Sequence, residues 1–136
     1  IIDTKYTAED MPAIYSDLGK THDGYDSVVF KRELFNKFQL GNICLGTRWV
    51  DTLYGVNAAC LSSNFELIPE AHAVSHMGNP EIWADFTKYG DYDKHNEKEL
   101  VASVRELYRA DRSILDRPIF TDMFKSILRD RGAFNV

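Results

Sequence analysis

Residues 89–108 read YGDYDKHNEKELVASVRELY, and the fold turns on where a helix begins within them. Asn96 is followed three residues later by Glu99, the spacing of an N-cap with a carboxylate at the third helical position. Leu100, Val101, Val104, Leu107 and Tyr108 then recur on one helical face. The spacing therefore predicts a helix that starts at Asn96, preceded by a polar loop over 91–96. Upstream, Asn79-Pro80-Glu81 is a cap-then-proline start for a short helix carrying Ile82, Trp83, Phe86 and Tyr89, which Gly90 is placed to end. Asp91 and Asp93 begin like a calcium-binding loop, but the glycine needed at the sixth position is Asn96 and the closing glutamate is Ala102. Without those residues neither the sharp turn nor the bidentate ligand exists.

Toward the C-terminus, Arg105, Arg109 and Arg112 follow one another at steps of four and three, with Glu106 and Asp111 nearby. A solvated, salt-bridged helix face is the simplest reading, and an anion or nucleic-acid contact is the alternative. Asp116-Arg117-Pro118 predicts a second helix start, followed by the apolar stripe Ile119, Phe120, Met123, Phe124, Ile127 and Leu128. Gly132 fits a left-handed stop, and Phe134 is expected to fold back onto the bundle.

Toward the N-terminus, Asp26 or Ser27 caps an expected helix in which Phe30, Leu34 and Phe38 repeat every four residues, with Gly41 beyond it. A shorter helix is expected over Thr7 to Leu18, closed by Gly19. Gly19-Lys20-Thr21 resembles the end of a phosphate-binding loop, but the glycine required five residues before Gly19 is Ile14. In the middle, Asn42 to Ile68, the pattern blurs. Trp49, Val50, Leu53, Tyr54 and Val56 suit a helix, and Gly46 and Gly55 among β-branched and aromatic residues also suit a small hairpin. The expected fold is mainly α, a compact bundle of five to seven helices in one domain over 1–136, with a small β-hairpin within 42–68 as an open variant and α+β as the alternative architecture.

One constellation has metal-ligand spacing. In Glu70-Ala71-His72-Ala73-Val74-Ser75-His76, the two histidines lie one helical turn apart, the geometry by which paired imidazoles bind zinc or another divalent metal. Glu70 sits two residues before His72 and points round the helix from it, so it is not the base of a zincin motif. Further ligands would have to come from His22, His95, Asp85 or Asp91. Two histidines at the C-terminal end of a short helix, with no metal, are the simpler reading. No nucleophile elbow occurs, Cys44 and Cys60 read as buried free thiols, and Asp10, Asp17 and Asp85 are carboxylates without a pattern, so no catalytic assignment follows.

Composition bounds the function classes. The net charge is −5 and the pI about 5.3, which lacks the basic footprint of non-specific nucleic-acid binding. Residues 1–90 hold seven Lys or Arg against twelve Asp or Glu, and residues 91–136 hold nine of each, so all the excess charge lies in the first two-thirds. No apolar run approaches the roughly 18–20 residues of a membrane span, and no signal peptide is recognisable. The expectation is an intracellular soluble protein, or a virion component. The chain begins at Ile1, which suggests a segment of a longer or viral protein. The leading functional expectation is a non-catalytic helical module for protein interaction or self-assembly, drawing on an aromatic content of 12%. The alternatives are a metal-dependent enzyme using His72 and His76, and an anion or nucleic-acid contact through Arg105, Arg109 and Arg112.

Overall fold

The computed structural model describes residues 27–68 and 86–136, with side chains in the second stretch from Gly90 onward. The fold is mainly helical. The described residues hold α1 (Arg32–Phe35), α2 (Val50–Leu61), α3 (Phe86–Ala110), a 3₁₀ helix (Arg112–Asp116) and α4 (Asp122–Asp130), and no strand. The expected helix at Thr7–Leu18 and the His72/His76 segment lie outside the described residues. No described helix is long and apolar enough to cross a membrane.

The predicted break at 90–96 is absent. One helix of 25 residues, about 37 Å long at the usual rise, runs through Gly90 and the whole polar stretch. The reason lies in its buried face, where Asn96, Leu100, Ser103, Val104 and Leu107 form a single stripe at helical spacing. Asn96 sits one turn before Leu100 on that stripe and is 0% exposed. Its local fitness as a cap yields to the packing of its side chain, and Gly90 costs the helix only about 1 kcal/mol.

The blurred middle resolves as α2, not as a hairpin. Leu53 and every residue from Gly55 to Ala59 are buried, so this helix is covered on most sides and shows little amphipathic period. Gly55, Ala58 and Ala59 keep its surface small, and α2 packs directly on α3. The core joins Leu53, Val56 and Ala59 of α2 to Leu100, Val104 and Leu107 of α3, with Ile114, Ile119, Phe120, Leu128 and Ala133 closing it from below. Each such large apolar side chain stabilises the fold by about 1.5–3 kcal/mol when fully buried.

After α3 the chain tightens. Asp111 caps the 3₁₀ helix by accepting hydrogen bonds from Ser113 N at 2.9 Å and Ser113 Oγ at 2.7 Å, which holds its carboxyl below the usual carboxylate range. Pro118 does not start a helix. It lies in a turn that lets Ile119 and Phe120 enter the core, and α4 begins at Asp122 with the Thr121 hydroxyl accepting from Phe124 N. The far end of α4 follows the sequence reading closely. Gly132 has φ +72°, its N–H donates to Arg129 O, and Ala133 N–H donates to Leu128 O, the paired bonds of a Schellman stop. Phe134 then meets Tyr108 edge-to-face at 5.1 Å.

The helix expected over Phe30, Leu34 and Phe38 is much shorter than that spacing suggests. Residues 27–31 carry no helix, and α1 is one turn with no buried residue. The phenylalanines meet one another instead of lining a common core.

Candidate functional site

Side chains on the two main helices hold the connection from Gln39 to Arg48 through its backbone. Asn57, 0% exposed on α2, accepts from Gln39 N at 2.7 Å and donates to Gln39 O at 3.3 Å; its amide also reaches Leu53 O and Ser103 Oγ. Asn96 does the same to Cys44, accepting from its N–H at 2.8 Å and donating to its carbonyl at 2.9 Å, and donates further to Arg48 O at 3.0 Å. Between them Glu99 accepts from Asn42 N at 3.0 Å, while His95 Nε2 donates to Asn42 O at 2.8 Å. A carbonyl can only accept, so the bond fixes the proton of His95 on Nε2. Three loop residues thus have both backbone groups satisfied by helix side chains.

This frame presents an aromatic cluster at the surface. Phe30 and Phe38 rings lie 4.8 Å apart, Phe35 and Phe38 5.7 Å, and Tyr54 of α2 closes the group at 6.4 Å from Phe35 and 6.1 Å from Phe38. These are ordinary separations for aromatic pairs. The cluster lies outside the main core: Phe35 is 45% exposed and neighbouring Val29 is 96% exposed. Lys31, Arg32 and Lys37 are exposed along the same stretch, with Glu33 their one acidic neighbour there.

A second feature is a cleft lined by Arg48, Trp49, Gly90, Asp93, Lys94, Glu97 and Arg131. Its two carboxylates are engaged internally, Asp93 by Arg48 at 3.4 Å and Glu97 by Arg131. Trp49 at its edge has φ +75°, a left-handed conformation that is rare for a bulky side chain. Two bonds hold it there, Leu53 N–H donating to Trp49 O and Asn96 donating to the preceding carbonyl. The strained residue is accounted for by the start of α2.

His72 and His76 lie outside the described residues, as do His22 and Asp85. Among the described residues no group of three or more His, Cys, Asp or Glu side chains is arranged to hold a metal, and His95 is committed to the loop. Two of the three arginines reach the C-terminal residues, and the third pairs within its own helix. Arg105 donates to Gly132 O at 3.1 Å, Arg109 pairs with Glu106, and Arg112 lies 4.3 Å over the Tyr108 ring and donates to Val136 O. Cys44 and Cys60 are both free thiols and half-buried. Burial pushes the Cys60 thiol up to about 12, outweighing the opposing pull of Arg117. Compared with protein-family models, curated proteins and solved structures, the chain matches none.

The sequence pattern marked Phe30 and Phe38 as one face of an amphipathic helix and Tyr54 as part of the middle segment, and it passed over Phe35 and Asn57. The signal for Asn57 was a carboxamide inside the apolar run Val56, Ala58, Ala59, where a buried polar group requires partners.

Proposed function

We propose that this chain is a non-catalytic helical module for protein–protein interaction or assembly. One observation carries the reading: an aromatic cluster sits on the surface, next to the nearly fully exposed Val29, while the fold has a separate core of its own. Aromatic residues supply much of the binding energy at protein interfaces, and a cluster of them outside the core is what such a surface needs. The cleft beside Trp49 supports a structural role better, since its carboxylates are engaged by its own arginines.

The test asks whether the aromatic face lies outside the core that holds the fold together. Val29→Ser, at 96% exposure, should change unfolding free energy by no more than about 0.5 kcal/mol, as surface substitutions do, and Phe35→Ser, which gives up ring contacts to Phe30, Phe38 and Tyr54, should cost about 1–2 kcal/mol. Leu53→Ala, at a position with no exposure, should cost about 2–5 kcal/mol. If urea denaturation found Phe35→Ser as damaging as Leu53→Ala, the aromatic face would be part of the core and the proposal would fall.

A further inference from the structure

Resting on that reading, we infer that the Phe30/Phe35/Phe38/Tyr54 face takes an acidic segment of a partner protein, one that also carries aromatic or aliphatic side chains. Lys31 and Arg32 fall between Phe30 and Phe35, and Lys37 falls between Phe35 and Phe38, so cations alternate with rings along the surface stretch. Against these three stands Glu33 alone, which makes the stretch net positive in a chain whose net charge is −5. The stretch that carries the three phenylalanines is therefore locally basic on an acidic protein, with Asp51 one turn before Tyr54 on α2 the acidic residue of the other wall. Charge complementarity sets which partner an interface accepts and how fast it is captured, and exposed cations interspersed with aromatic residues select carboxylates beside an apolar anchor.

The same distribution disfavours other occupants. A symmetric pair of copies using this face would bring two net-positive stretches together. Single-stranded nucleic acid needs cations that track its backbone as well as rings to stack on, and this chain carries a net charge of −5. The remainder of the chain, more acidic than the whole, repels phosphate. The face is also preorganised. Asn57 anchors Gln39, the residue after Phe38, to the helix that carries Tyr54, so little ordering remains to be done on binding.

The experiment is a random peptide display selection on the whole chain, run in parallel on Phe35→Ser and on the triple variant Lys31→Glu/Arg32→Glu/Lys37→Glu, with circular dichroism confirming that both fold. Sequences enriched on the wild type should be rich in Asp and Glu with aromatic or aliphatic residues, and should be lost on Phe35→Ser. Synthetic versions should bind the triple variant about tenfold more weakly or worse, and weaken as salt rises. Patch-dependent ligands that are neutral or basic would overturn the partner chemistry and leave the interaction module standing. Absence of any ligand that depends on Phe35 would overturn both. Tighter binding of oligothymidylate, or of vesicles containing phosphatidylserine, than of any selected peptide would overturn the acidic partner in favour of nucleic acid or membrane. Self-association lost in Phe35→Ser would overturn it in favour of a second copy.

Discussion

Asn96 discriminates two accounts of the longest helix, and its substitution has a magnitude that follows from the bonds it makes. Asn96→Ala removes the partners of Cys44 N–H, Cys44 C=O and Arg48 C=O. Each orphaned group costs about 1–3 kcal/mol when buried, and here about 1, because the loop is only partly covered. The sum of about 3 kcal/mol is offset by the better helix propensity of alanine, roughly 0.5–0.7 kcal/mol, for a net loss of about 2–3 kcal/mol. In urea, with a slope of about 1–3 kcal/mol per molar, the midpoint should fall by about 0.7–3 M. Asn96→Asp is the sharper variant. At a helix N-cap, Asp and Asn are nearly equivalent. Inside the clamp, a carboxylate still accepts from Cys44 N–H but faces two carbonyls it cannot donate to, with its charge fully buried, so Asn96→Asp should be worse than Asn96→Ala. The deficit should narrow in acid, where a protonated carboxyl regains one donor. An Asn96→Asp protein within about 0.5 kcal/mol of wild type, the usual spread for surface changes, would refute the clamp and restore the N-cap.

The remaining predictions concern two glycines and a thiol. Gly132→Ala, at φ +72° with Asn135 Nδ2 3.2 Å from the added methyl, should cost about 1–2 kcal/mol and lower the Tm by about 3–8 °C. Gly41→Ala should cost more, because at φ +57° its methyl also lands on the Glu99 carboxylate that holds Asn42; scanning calorimetry would reverse this order only if Glu99 moved freely. Cys60 should react with iodoacetamide far more slowly in the folded chain than in urea, since a rise from 9.0 to about 12 leaves little thiolate. Because its folded value is raised, the stability it contributes is complete below the ordinary thiol value of 9.0 and lost as pH rises toward about 12. Equal reactivity in the two states would show that Cys60 is not desolvated.

What was legible in the sequence depended on whether local pattern and tertiary packing agreed. From Leu100 to Tyr108 they did, and at Gly132 a single glycine in a left-handed stop needs no distant partner. They disagreed at Asn96, where a residue with the local look of a cap belongs to a buried stripe whose other half comes from a loop some fifty positions away. At Phe30 and Phe38 a helical spacing marked side chains that meet in a surface cluster, because the chain bends between them. Pro118 had the residues of a helix start, but Ile119 and Phe120 gain more by entering the core first. The aromatic face was half legible: Phe30 and Phe38 stood out, while Phe35 fell off their four-residue repeat and Tyr54, sixteen positions beyond Phe38, joins them only through the fold.

The pairing of helix side chains with loop backbone makes the connection behave as a ruler. Asn57 grips Gln39, the His95/Glu99 pair grips Asn42, and Asn96 grips Cys44, each by both its N–H and its C=O. The separation of these anchors is set by how α2 lies against α3. Surface connections ordinarily gain and lose residues at little cost, but adding or removing one residue here would shift every later grip out of register. Among close descendants of this chain, the length from Gln39 to Cys44 should therefore drift less than the identity of the residues between them.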